Sequence, residues 1–102
     1  MGSRLDLHNL LVEKLGSRNV YFQPPAKSVR MNYPAIVYSR SRIENHFADN
    51  AIYAQSYSYT ITVIDSNPDS EIVSRVSLIP RIRHDRSFTS DNLNHDVFTL
   101  IY

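Results

Sequence analysis

The sequence has 102 residues and a formal net charge of +1, and hydrophobic residues make up 42% of it. This length and composition fit one domain with a single core and argue against disorder, while the near-neutral charge gives no general attraction to nucleic acid or an anionic membrane. The absence of cysteine excludes disulfides, thiolate metal sites and cysteine nucleophiles, and two glycines are too few for a phosphate-binding glycine-rich loop.

The N-terminal third predicts a helix and a short strand. Residues 4–15 carry a stripe of leucines at three- and four-residue spacing: Leu7, Leu10, Leu11 and Leu15. Gly16 stands where a helix favours a left-handed cap. Val20–Phe22 predicts a strand that ends at Pro24-Pro25, and Ala26–Asn32 predicts an extended loop or edge.

The middle of the chain predicts two strands around a polar segment. Pro34–Tyr38 predicts a strand with proline at its first position, where a missing donor is tolerated. Arg40–Asn50 is polar apart from Ile43 and Phe47, and it predicts either one helical turn or a long hairpin loop. Tyr57–Val63 alternates tyrosine, isoleucine and valine with serine and threonine, so it predicts a strand with one apolar face.

The C-terminal third predicts a second helix and two strands. Ser66–Glu71 offers capping side chains and an early proline, and it precedes an apolar stripe formed by Ile72, Val76 and Ile79. Pro80 marks the predicted end of this helix. Arg81–Phe88 alternates as a strand does, Thr89–Asp96 predicts a turn, and Asp96–Tyr102 predicts the last strand.

This order of elements predicts an α+β fold over residues 1–102. We expect an antiparallel or mixed sheet of four to five strands with two helices packed on one face. The apolar run that reaches Tyr102 leads us to expect that the whole chain belongs to one domain. The sequence lacks both the ~18 apolar residues of a membrane helix and the apolar core of a signal peptide, so we expect a cytoplasmic protein without membrane contact.

The histidines do not predict a catalytic or metal site. They lack paired metal-ligand spacing, so we predict neither a metal nor a cofactor. His84-Asp85 and His95-Asp96 resemble acid–base pairs, but adjacent residues on a strand point to opposite faces. Because the chain also lacks a nucleophile elbow, we predict that it is not an enzyme; a hydrolase that uses His84, His95 and Asp96 is the least supported alternative.

A second candidate feature is a group of arginines close together in sequence: Arg75, Arg81, Arg83 and Arg86. Arg81 and Arg83 are expected to share one strand face. Arginine side chains suit phosphates and also carboxylates across a protein interface. Because few aromatic residues interleave with these arginines and several aspartates lie nearby, contact with protein is favoured over binding to nucleic acid.

The long two-faced strand and the terminal strand suggest sheet edges that are available for pairing. Ring-forming proteins extend a sheet from one subunit to the next in this way. Together with seven tyrosines, which suit interfaces, these edges predict that the domain self-assembles.

Six segments of the chain resemble small tail completion or tail terminator proteins of long-tailed bacteriophages. The resemblance covers nearly the whole chain and is carried by a succession of segments without a catalytic signature: Phe22–Pro25, Tyr33–Tyr38, Phe47–Asn50, Thr60–Asp65, Pro68–Ser70 and Thr89–Asp96.

The resemblance implies a virion protein of the tail or neck, assembled in the host cytoplasm. Such a subunit forms a ring, expected to be a hexamer, on the last ring of the tail tube, where it stops tube growth and offers a surface to the head connector. Its expected partners are further copies of itself, the tail tube protein and head–tail connector or neck proteins. A neck or head-completion protein is the leading alternative, and a nucleic-acid-binding module is a weaker one.

The candidate contact residues follow from their chemistry and expected exposure. They belong to the polar segment before the long strand and to the charged strand near the C-terminus. They are Arg40, Arg42, Asn45, His46, Phe47, Asp49, Arg81, Arg83, Asp85 and Arg86.

Overall fold

The computed structural model of this chain describes residues 4–23, 33–48 and 51–102. Within them the order of elements is α1 (Arg4–Leu15), β1 (Val20–Phe22), β2 (Ala35–Ala48), β3 (Ala51–Asp65), α2 (Glu71–Ser77), β4 (Ile82–Ser90) and β5 (Leu93–Ile101). The strand end predicted at Pro24-Pro25 and the extended stretch predicted at Ala26–Asn32 lie outside the described residues.

The five strands form one mixed sheet in the order β1-β2-β3-β5-β4. β1 runs parallel to β2, and the other neighbouring strands pair antiparallel. Both helices contribute to the same hydrophobic cluster on one face of this sheet. The predicted α+β fold, with two helices on one face, is therefore confirmed.

The core lies between the two helices and the apolar face of the sheet. Tyr59, Ile61 and Val63 of β3 are at most 2% exposed, which confirms the apolar face predicted from their alternation with serine and threonine. Phe98 and Leu100 of β5 are fully buried beside them. Burial of each such side chain contributes about 1.5–3 kcal/mol to folding.

Helix α1 has the predicted bounds and the predicted apolar stripe. Leu7, Leu11 and Leu15 are buried, and Leu10 packs against the core from a partly buried position. Gly16 has a φ of 81° and donates its backbone N–H to the Val12 carbonyl at 2.9 Å. This left-handed conformation suits glycine and ends the helix as expected.

Helix α2 is shorter than its apolar stripe suggested. The Ser70 side chain caps it by accepting the backbone N–H of Ile72, and the helix ends at Ser77. Ile79 is nevertheless buried, because the chain after the helix turns it into the same core as Val76.

The last hairpin has a tighter turn than Thr89–Asp96, the turn predicted from sequence. β5 already begins at Leu93, and the link from Ser90 to Leu93 consists of Asp91 and Asn92. Both residues have positive φ, 54° and 63°, as a two-residue type I′ turn requires. Aspartate and asparagine tolerate this conformation, so the polar cluster marks the turn but does not span it.

The polar segment Arg40–Asn50 forms no helical turn in its described part. Residues up to Ala48 continue β2 and pair with β3. Beyond Tyr38 and Ser58, where the β1 and β5 registers end, the described residues of this hairpin form a two-stranded ribbon, except that the Tyr57 carbonyl at its base still accepts the backbone N–H of Tyr102 at 2.9 Å. We call residues 43–48 and 51–57 the hairpin arm; it contributes to the elongated dimensions of 51 × 29 × 23 Å.

Candidate protein-interaction surface

The face of the sheet away from the helices, here the open face, carries a row of hydroxyl side chains. Ser39, Thr60 and Thr99 lie side by side on β2, β3 and β5, because Thr60 pairs with both of the others. All three are half-buried. The serine and threonine face predicted for the long strand therefore lies where water or a partner can reach it.

A cleft of about 390 Å³ lies on the open face near the base of the hairpin arm. Residues from β2, β3, β5 and the start of β4 line it: Ser41, Arg42, Ser58, Arg81, Arg83, Thr99 and Ile101. We call this the arginine cleft. Three guanidinium groups beside hydroxyls suit an anion such as a carboxylate or a phosphate.

Local backbone features bring the arginines to this cleft. A register shift between Arg40 and Arg42 changes which face of β2 each side chain takes. Arg42 lines the cleft, whereas the Arg40 guanidinium lies 5.1 Å from the ring centre of Tyr57. Arg81 has a φ of 66° directly before β4, and its carbonyl accepts the backbone N–H of Ile101 at 3.3 Å.

Asp85 links the cleft to the exposed strand β4. Its carboxylate accepts one hydrogen bond from the Thr99 hydroxyl. It accepts a second from Arg83, with 3.2 Å between Arg83 Nε and Asp85 Oδ1. The Thr99 hydrogen bond is the main cause that lowers the pKa of Asp85, and Arg83 adds to it. The Arg83 side chain lines the cleft and stays 77% exposed despite this pairing.

The structure brings together part of the predicted contact set. Arg42, Arg81 and Arg83 meet in the cleft, with Asp85 beside Arg83. The other members lie elsewhere: Arg40 on the tyrosine side of β2, Arg86 over Phe88 on β4, and Asn45, His46 and Phe47 in the hairpin arm, while Asp49 lies outside the described residues. Sequence reasoning missed Ser58 and Thr99 as cleft residues, although their place on a polar strand face was a usable signal.

Of the two histidines next to aspartate, His84 forms a cluster with Ser87 of its own strand and Asp96 of β5. His84 Nε2 lies 3.1 Å from Ser87 Oγ and 3.2 Å from Asp96 Oδ1, and Ser87 donates to that same carboxylate oxygen. A Ser–His–Asp triad needs the serine and the aspartate on opposite ring nitrogens. His95 instead stacks on Phe88, with ring centres 4.7 Å apart. In the His84 cluster, Ser87 and Asp96 both lie at the same ring nitrogen, Nε2, so the cluster does not activate Ser87 as a nucleophile.

The fully buried Tyr38 has its hydroxyl satisfied by groups of α1. His8 Nδ1 lies 2.8 Å from the hydroxyl, and Arg4 donates to it at 3.3 Å. Burial raises the pKa of Tyr38, and Arg4 opposes that effect. His8 thus serves to pair a core phenol.

Neither a protein-family model nor a curated protein sequence matches this chain. In the part of the chain that the structure describes, His, Asp and Glu side chains form no group of three or more able to hold a metal ion. Helices long and apolar enough to cross a membrane are absent from the same residues. The fold itself defines a small α+β domain with an arginine-lined cleft and a projecting hairpin.

Proposed function

We propose that this protein is a structural component of a long-tailed bacteriophage virion that caps the last ring of the tail tube. It assembles as a ring, expected to be a hexamer, stops tube polymerisation and forms the head-proximal joining surface. Its partners are further copies of itself, the tail tube protein and the neck proteins. The resemblance of the sequence segments motivates this proposal, and the hairpin arm is the structural observation that carries it.

The hairpin arm favours a subunit that works in contact with other subunits. A two-stranded hairpin in water is at most marginally stable without a third strand or a packed face. Ile43 at its base is 50% exposed, and Asn45 is exposed as well. A neighbouring subunit that covers the arm would bury such residues, so assembly stabilises a feature that is costly in a monomer.

The outer edge of the sheet favours specific contacts over indiscriminate strand pairing. The long strand β3, over residues 58–65, and the terminal strand β5 lie inside the sheet, so the prediction that they offer edges was wrong there. The edge is β4, which is exposed along nearly its whole length and pairs, among the described strands, with β5 alone. A bulge between His84 and Arg86 and the charged residues around it blunt this edge. Side-chain recognition by groups such as Arg83 and Arg86 is therefore the expected mode of contact.

The mechanism is geometric. One face of the ring complements the terminal tube subunits through the hairpin arms. The opposite face does not reproduce the surface that a further tube subunit needs, so elongation stops. Binding energy and shape complementarity are sufficient, because no covalent bond is made or broken.

The test is electron microscopy of tail-tube subunits that polymerise with and without this protein. We expect shorter tubes with a ring at one end. The matched control is a variant in which residues 44–56 are replaced by Asn-Gly, which joins Ile43 to Tyr57, two residues that face each other in the hairpin register. This armless variant is expected to fold but to leave tubes long.

Uncapped tubes of unchanged length with the intact protein would contradict the cap proposal and favour the neck or head-completion role. A nucleic-acid-binding module would instead bind DNA with an affinity that falls steeply as salt is added. Tube length and DNA binding therefore separate the three roles in one set of samples.

A further inference from the structure

The arginine cleft has the chemistry of an anion-binding site at one end of the sheet. Arg42, Arg81 and Arg83 reach it from two non-adjacent strands, and the hydroxyls of Ser58 and Thr99 lie between them. Guanidinium groups bind carboxylates and phosphates through charge-assisted hydrogen bonds, and hydroxyls add further donors.

Asp85 lies beside the cleft and is already engaged by two groups. It accepts a hydrogen bond from one nitrogen of Arg83, and its second oxygen accepts from Thr99. Arg81 forms no ion pair with a carboxylate among the described residues. An incoming carboxylate would therefore meet the Arg81 guanidinium beside the partly paired Arg83.

The opposite end of the same sheet is acidic. Asp69 lies in the loop that follows β3, Asp91 lies in the β4–β5 turn, and both are exposed, whereas the nearby Glu71 is paired with Arg75 at 3.9 Å. The β3–β5 ladder runs from Ser58, at the cleft, to Asp65, at the acidic end. Seven steps along a strand separate these ends by about 23 Å, so the acidic side chains cannot reach the cleft of their own subunit.

We propose that the arginine cleft of one subunit binds the acidic end, through Asp69 and Asp91, of a second copy of this chain. The contact is head-to-tail, and repeated contacts of this kind close a ring when the rotation between subunits allows it. This inference rests on the proposed ring assembly and names the surfaces that make it. A protein occupant fits better than a nucleic acid, because the described lining offers no aromatic ring on which a base could stack.

Charge reversal tests the pairing by sedimentation velocity and native mass spectrometry, in solution and on tube ends. Arg81→Glu and Asp69→Arg are each expected to weaken self-association at least tenfold. The matched control is Arg18→Glu, the same reversal at an exposed arginine in the turn after α1, which should assemble as the original chain does.

An equimolar mixture of the Arg81→Glu and Asp69→Arg variants gives the decisive result. In the mixture the reversed cleft of one variant faces the reversed acidic end of the other, and the two unreversed surfaces also match. We expect assembly to return, with the two variants alternating in rings of even number. Recovery also shows that both variants are folded.

Several results would overturn the pairing. If both variants assemble like the original chain, or if the mixture stays dissociated, the cleft does not bind the acidic end, although capped tubes would still support the proposed function. If Arg81→Glu leaves self-association intact but abolishes binding of a labelled DNA duplex, the occupant is a phosphate backbone. Failure of the original chain both to self-associate and to cap tubes would overturn the proposed function itself.

Discussion

At residue 85, a carboxylate is held in its charged form by its neighbours. The hydrogen bond from Thr99 is the main cause of the lowered pKa of Asp85, and the Arg83 guanidinium contributes further. The pKa of Asp85 is lower in the folded chain than in the unfolded chain, where it is about 4. The interaction therefore makes its full contribution to stability at pH values above this unfolded-state pKa. The contribution is lost as the pH falls through the lowered pKa of the folded chain.

Removing the Thr99 hydroxyl should therefore raise the pKa of Asp85 towards its ordinary value. The variant is Thr99→Val, and the measurement is a carboxyl-carbon NMR titration of Asp85. Thr62→Val, at another half-buried threonine of the sheet, is the control and should leave that pKa in place. An unchanged titration of Asp85 in Thr99→Val would show that the hydroxyl does not stabilise the carboxylate.

Two phenylalanines of the C-terminal hairpin give a matched test of burial. Phe98 is fully buried in the core, whereas Phe88 is 43% exposed and stacks on His95. Phe98→Ala should lower the free energy of unfolding by about 3–5 kcal/mol, because it leaves a cavity. Phe88→Ala should cost about 1 kcal/mol or less. Urea denaturation followed by circular dichroism compares them, and equal losses would contradict the assigned core.

At the scale of elements, hydrophobic periodicity in the sequence predicted those helices and strands that bury one apolar face in the core. The leucine stripe gave the bounds of α1, and the alternation from Tyr57 to Val63 identified β3, because each repeats with the period of its element. The end of β2 was missed. The shift between Arg40 and Arg42 breaks the alternation, and the segment that follows is polar apart from Ile43 and Phe47, so apolar residues do not mark the strand.

The β4–β5 turn provides a prediction about backbone conformation. Asn92 has a φ of 63°, which asparagine and glycine tolerate but a β-branched residue does not. Asn92→Val should therefore reduce the free energy of unfolding by about 1–2 kcal/mol, whereas Asn92→Gly should stay within about 0.5 kcal/mol of the original chain. Thermal unfolding of the two variants measures this difference in stability. Equal stability of Asn92→Val and Asn92→Gly would exclude the left-handed turn.

At the scale of the whole molecule, the arginine cleft depends on strand order. Arg81, Arg83 and Asp85 were predicted as contact residues from their closeness in sequence. Their meeting with Arg42 and Ser58 requires the middle of β2 and the start of β4 to lie at the same level of one sheet, on either side of β3 and β5, as the order β1-β2-β3-β5-β4 and its register provide. Local periodicity does not encode that order, since it concerns neighbours in sequence and not strands brought together by the fold.

The long strand β3 should consist of two parts with different stability. Residues 58–65 have β2 on one side and β5 on the other, whereas residues 51–57 pair with β2 as part of the two-stranded arm. Segments with few tertiary contacts open at low free energy, so amides of residues 51–57 should exchange with deuterium at least ~10-fold faster in the isolated subunit.

Assembly should remove this difference if the arm is a contact element. Hydrogen exchange followed by mass spectrometry, on the free protein and on capped tubes, should show that residues 51–57 gain protection while residues 58–65, already enclosed by two strands, change little. An arm that exchanges equally fast in both samples would mean that neighbouring subunits leave it uncovered. The cap would then have to use other surfaces, of which the arginine cleft and the acidic end of the sheet are the strongest candidates.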